Sequence, residues 1–161
     1  MPRYALKIEY HGGPFAGWQR QSQGLASVQG AVEAALAKLE PRAHTIAAAG
    51  RTDAGVHATG QVIHVDVPDA LFDRDLTYLD LRYKLNRILD EDVRIMKVSD
   101  APQGFHARFS ALRRYYSYKI LDNNDVIAPL SRHDVASWYR PLDADHMNEA
   151  SALLLGHHDF A

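Results

Sequence analysis

The hydrophobic pattern of this chain predicts an α+β fold, in which an antiparallel sheet carries its helices on one face. Three observations predict it. Tyr4, Leu6, Ile8 and Tyr10 alternate with Ala5, Lys7, Glu9 and His11, the period of a half-buried strand. Val28, Val32, Ala35, Leu36 and Leu39 recur at helical spacing on one face. These two kinds of pattern then succeed one another in the order β-α-β-β-α-β.

Each element has its own justification. Ser27 precedes the first helix as an N-cap, its hydroxyl suited to an orphan amide, and Pro41 stops the helix. Residues 44–49 form a short apolar strand. Ile63, Val65 and Val67 alternate with His64 and Asp66 in the next strand, which Pro68 ends. Leu81, Leu85, Ile88 and Leu89 mark a second amphipathic helix, and Val93 with Ile95 begins a fourth strand. Residues 113–121 read as a fifth strand and Asp143 to Leu155 as a third helix. The first six elements make a ferredoxin-like split βαβ half, residues 1–102, and residues 103–161 begin a second, related subdomain. A fold of this kind hosts many chemistries, so function must be argued from the site.

Composition narrows the classes. With 161 residues, 47% of them hydrophobic, the chain can bury a sizeable core. The absence of cysteine excludes disulfides and thiolate metal sites and is compatible with a reducing compartment. No apolar run has the length of a membrane span, so a soluble cytoplasmic protein is expected. Gly12-Gly13 lacks the spacing of a dinucleotide fingerprint and no P-loop lysine follows. His157, His158 and Asp159 stand too close together at a helix end to converge on a metal. The net charge of −2 hides an uneven distribution: residues 103–121 hold Arg108, Arg113, Arg114 and Lys119 with no carboxylate. Phe105, Phe109, Tyr115, Tyr116 and Tyr118 interleave with them. Cations for phosphates and rings for bases suit RNA, although tyrosines on a strand also suit a core.

The richest stretch is Gly50-Arg51-Thr52-Asp53-Ala54-Gly55-Val56-His57-Ala58. Its glycines permit a tight turn, Arg51 offers a planar donor fork, and Asp53 supplies a carboxylate available as nucleophile or base. His57 fits a structural hydrogen-bonding role better than that of a general base. Trp18 fits an anchor for its loop on the core.

This run resembles the signature of the tRNA pseudouridine synthase A family. Gly17-Trp18-Gln19-Arg20 and Phe105-His106-Ala107-Arg108-Phe109-Ser110-Ala111 resemble two further elements of that family, in the family's order. Arg114-Tyr115-Tyr116-Ser117-Tyr118 matches its Arg-x-Tyr-x-Tyr pattern.

The resemblance implies isomerisation of uridine to pseudouridine in the anticodon stem-loop of tRNA, at positions 38–40. Asp53 would be the catalytic nucleophile, attacking either the sugar C1′ or the base C6. Tyr116 would stack on the extruded uracil. Arg51, Arg20, Arg108 and Arg114 would bind substrate. The reaction is redox-neutral and transfers no external group, so neither metal nor coenzyme is expected. A homodimer holding tRNA is implied as well. Family members run beyond this length, so the 161-residue chain alone is expected to bind tRNA weakly, to self-associate and not to turn over. A non-catalytic RNA-binding module and a ferredoxin-like interaction domain are the alternatives, and Asp53→Ala separates them.

Overall fold

The computed structural model describes residues 1–21, 24–41, 45–67, 77–123 and 125–159. The chain divides into two compact units, Met1–Arg114 and Tyr115–Ala161. The first unit opens with β1 (Arg3–Tyr10), in which Tyr4, Leu6, Ile8 and Tyr10 are buried while Lys7 and Glu9 are exposed, as the alternation requires. β2 (Ile46–Ala48), β3 (Ala58–Asp66) and β4 (Val93–Asp100) complete a sheet in the order β2-β3-β1-β4. All three pairings are antiparallel. The expected β-α-β-β-α-β half is therefore present, with β1 and β3 at its centre.

α1 (Val28–Leu39) starts where the sequence places it. The Ser27 side chain accepts the Gly30 amide, and Val28, Val32, Ala35 and Leu36 form its buried face. α2 (Tyr78–Ile88) opens with a complete capping box, in which Thr77 and Asp80 satisfy each other's amides. Its Leu81 and Leu85 join the α1 face and the inward residues of β1, β3 and β4 in one core. Burying each Leu, Ile or Val there contributes about 1.5–3 kcal/mol. The register of β4 slips opposite β1, because Lys7 pairs with Lys97 while Ile8 pairs with Ile95. Met96 is the extra residue, and this bulge lets both Ile95 and Val98 face the core.

Two differences from the sequence reading have physical causes. Residues 103–114 pack with the first unit, because the Arg3 guanidinium donates to the Phe105 carbonyl and the Ala107 amide donates to His64. The strand expected over 113–121 shrinks to β5 (Lys119–Leu121), since a strand needs a partner ladder as well as β-prone residues. In the second unit β5 pairs in parallel with β6 (Val135–Ser137), and α3 (Ala144–Ala152) is capped by the Asp143 carboxylate. Pro68 and His44, named above at strand ends, lie outside the described residues.

Candidate active site

The antiparallel register puts the end of β1 beside the start of β3, with Tyr10 opposite Ala58. The loops that leave these two ends, residues 11–18 and 50–57, must therefore lie side by side. The structure joins them at three points, and the end of β1 adds a fourth tie to the 50–57 loop. Tyr10 and Thr52 share a hydrogen bond between their hydroxyls at 2.8 Å. The Trp18 amide donates to the Thr52 carbonyl at 2.8 Å, and the Gly55 amide donates to the Phe15 carbonyl at 3.3 Å. The Gly12 amide donates to Nδ1 of His57 at 3.1 Å.

Backbone meets backbone here, which explains two of the glycines. A Cβ on Gly12 would stand 2.1 Å from the Val56 carbonyl oxygen. Gly17 adopts φ +109°, and a Cβ there would stand 2.9 Å from the Thr52 carbonyl oxygen. The 11–18 loop is itself fixed. Trp18 is buried in the core, as its reading as an anchor requires, and the Gly17 and Trp18 carbonyls accept the first amides of α1.

The start of the 50–57 loop is braced separately. The Gln61 side chain donates to the Gly50 carbonyl at 2.6 Å and accepts its amide at 3.4 Å. The Arg114 guanidinium donates through Nε to the Ala49 carbonyl at 2.8 Å. On this held frame Arg51 and Asp53 are exposed, and among the described residues neither side chain has a hydrogen-bonding or ionic partner. A carboxylate so presented is reachable by a large molecule.

The other expected site residues stand as follows. Arg20 follows the 11–18 loop, pairs with Glu33 at 3.2 Å and keeps 69% of its side chain exposed. Arg108 lies over the ring of Phe109, 5.7 Å from its centre. Arg114 is engaged with Ala49, so the structure gives it a bracing role that its place in a basic stretch does not reveal. Tyr116 belongs to the second unit and is 76% exposed. Arg51, Asp53 and the Arg114 brace thus meet around one loop of the first unit.

Sequence reasoning missed His64 and Gln61. Both sit on β3, Gln61 in phase with the core-facing Ile63 and Val65, and His64 where simple alternation points to the open face of the sheet. The available signal was the polarity of that face: Arg3 on β1 pairs in register with Asp66, two residues beyond His64. Arg3 grips the Asp66 carboxylate with two bonds of 2.7 and 2.8 Å. That bond holds the Asp66 carboxyl below its ordinary range.

This α+β half therefore presents one carboxylate and one guanidinium on a glycine loop pinned to its neighbour. A family model described as tRNA pseudouridine synthase matches residues 7–110, which include both loops. The chain belongs to the tRNA pseudouridine synthase family. It is 51% identical over 164 residues to a tRNA pseudouridine synthase A of Cereibacter sphaeroides, covering 99% of this chain and 60% of that relative. A tRNA pseudouridine synthase A of Frankia casuarinae is 49% identical over 160 residues, covering 99% and 56%, respectively. One from Rhizobium meliloti is 46% identical over 165 residues, covering 99% and 63%. The chain spans about three-fifths of the length of these curated relatives.

Proposed function

We propose that this protein isomerises uridine to pseudouridine in tRNA, with Asp53 as the nucleophile. One observation carries the reading: in a chain of this family, Asp53 is exposed and, among the described residues, without a partner, on a loop whose backbone is pinned on both sides. The reaction breaks the N1–C1′ bond, turns the base and joins C5 to C1′. The hydrogen on C5 then leaves as a proton, and N1, released from C1′, takes one up, so the net reaction is an isomerisation. A carboxylate is sufficient as the covalent catalyst, and its point of attack is C1′ or C6.

The target base must leave its stack to reach Asp53, at a cost of a few kcal/mol. Arg51 fills the vacated space or holds the adjacent phosphate, and Tyr116 stacks on the extruded uracil. Arg20, Arg108 and Arg114 contact phosphates, so binding weakens with salt through counterion release. The substrate region is the anticodon stem-loop, positions 38–40, and the working form is a cytoplasmic homodimer. Support for these finer points is the family membership and the four matching motifs. Among the described residues no helix is long and apolar enough to cross a membrane.

The test is Asp53→Asn, which keeps the size of the side chain and removes its nucleophilicity. Tritium release from C5-labelled tRNA measures turnover directly, and it is assayed, for this and the other activity tests, in a chain of the relatives' full length. Essentially complete loss of release, with tRNA binding retained, is expected. Release at the wild-type rate would refute the assignment.

A further inference from the structure

Alternation along β3 sends Ile63 and Val65 into the core and His64 to the opposite, open face of the sheet. His64 is nevertheless only 5% exposed, because the turn that follows β4 folds across it. Phe105 and His106 pack against its ring, with centroids 6.3 and 4.6 Å away. The Ala107 amide, on a residue that is itself buried, donates to His64 Nδ1 at 3.0 Å. This bond requires a lone pair on Nδ1, and therefore a neutral imidazole with its proton on Nε2.

The turn has two other ties. The Arg3 guanidinium donates to the Phe105 carbonyl at 2.7 Å, and inside the turn the Ser110 amide donates to the His106 carbonyl. Four residues further on, Arg114 reaches back to the Ala49 carbonyl at the head of the Asp53 loop. The segment from Phe105 to Arg114 is thus a strap, fastened to the sheet at His64 and to the candidate active-site loop at Ala49.

We propose that His64 is a positioning residue whose neutral imidazole latches this strap, and that protonation of the ring on Nδ1 releases it. Because Arg108 and Arg114 ride on the strap, release withdraws cations from the RNA-binding surface; that consequence rests on the function proposed above, whereas the latch does not. The charged and titratable groups facing His64 act in one direction for the most part. Burial, Arg3 on β1 and His106 on the turn all oppose a positive charge on the ring, and only Asp66 on β3 favours it. The latch therefore stays closed at neutral pH and opens under acid.

Three proteins test the latch: wild type, H64N, whose amide oxygen takes the place of Nδ1, and H64L, which has no acceptor. The tautomer is read by long-range nitrogen–proton NMR of the imidazole, and strap closure by the hydrogen-exchange protection of the Ala107 amide, corrected for intrinsic rate. Wild type should show Nδ1 without a proton at neutral pH. Its protection at Ala107 should fall roughly 2- to 12-fold on acidification, the factor that one net hydrogen bond is worth. H64L should have the low protection at every pH, and H64N should keep the high protection throughout and restore any tRNA affinity that H64L loses. A proton on Nδ1 at neutral pH, wild-type protection in H64L, or an unaltered pH response in H64N would each overturn the latch. Wild-type tritium release by Asp53→Asn alongside the expected exchange pattern would instead refute the proposed chemistry and leave the latch standing.

Discussion

Replacing Gly12 with alanine asks whether the close approach of the two loops matters to the carboxylate they present. The added methyl would lie 2.1 Å from the Val56 carbonyl oxygen and 2.4 Å from its carbon. Ordinary carbon–oxygen contact needs more than an ångström beyond that, and both atoms met belong to backbone, so no side-chain rotation relieves the overlap. The loops must part. The bonds nearest the wedge are Gly12 to His57 at 3.1 Å and Gly55 to Phe15 at 3.3 Å. Losing two net hydrogen bonds costs about 1–3 kcal/mol, the same range as an overpacked methyl. At roughly 2–4 °C per kcal/mol for a protein of this size, the melting temperature should fall by about 2–12 °C.

The effect on chemistry should be larger than the effect on stability. A displacement of about 1 Å of a positioned catalytic group can cost about 100-fold in rate. Gly12→Ala should therefore fold, melt early and release tritium from C5-labelled tRNA at about a hundredth of the wild-type rate when assayed well below its transition. Circular dichroism melting and the tritium assay on one preparation check both halves. A wild-type rate beside a lowered melting temperature would show that the contact serves only stability. No change in either would mean that the loops are not held together as described.

The exposure of Tyr116 sets its expected behaviour: Tyr116→Ala should lower tRNA affinity by roughly 1–3 kcal/mol through lost stacking, Tyr116→Phe should cost little, and neither should move the melting temperature by more than about a degree. A drop of several degrees in Tyr116→Ala, with binding lost only on unfolding, would place the ring in a core instead. The Arg3–Asp66 pair predicts an acid limb of stability. Its carboxyl is held low in the folded protein by the Arg3 hydrogen bonds, so its contribution is present above the unfolded value of about 3.9 and is lost as pH falls through the folded one. Melting of Arg3→Met against wild type should show a gap near about pH 6 that closes towards about pH 3, and a gap independent of pH would refute this. Leu36→Ala, which empties a fully buried position between α1 and the sheet, should cost about 2–5 kcal/mol by chemical denaturation; a cost below about 1 kcal/mol would mean the core closes over the gap.

Patterns that depend on one element were legible in the sequence. The β1 alternation, the Ser27 cap and the four-residue spacing of α1 each state which side chain turns inward, and the structure agrees, with Leu39 at the end of α1 only partly buried. Patterns that depend on a second element were not. Tyr115, Tyr116 and Tyr118 have strand propensity, but a ladder requires a neighbour in register, and only Lys119 to Leu121 find one, in β6. β3 extends five residues before Ile63, because β1 pairs with Val62, Gln61 and Ala58 across an irregularity at Thr59 and Gly60 that the sequence does not advertise. The strap across His64 is the same lesson in reverse. Alternation assigns that face to solvent, and only a turn more than forty residues away in sequence makes it buried.

The site divides along the same line. Asp53 and Arg51 could be singled out because their chemistry is local, a carboxylate and a guanidinium beside glycines. What makes the carboxylate usable is not local. Every hydrogen bond described above for the 50–57 loop and its head is made by backbone, by Thr52 or by His57, and its partners lie on β1, on the 11–18 loop, on Gln61 and on Arg114. The fold thus immobilises the loop without consuming Asp53. A nucleophile needs this combination, because an ion pair or hydrogen bond that held the carboxylate would also lower its reactivity and would have to be broken before attack. Preorganisation through the backbone avoids that cost, and it leaves the fixing residues, Gly12, Gly17, Thr52 and His57, without any chemical role that their identities alone could disclose.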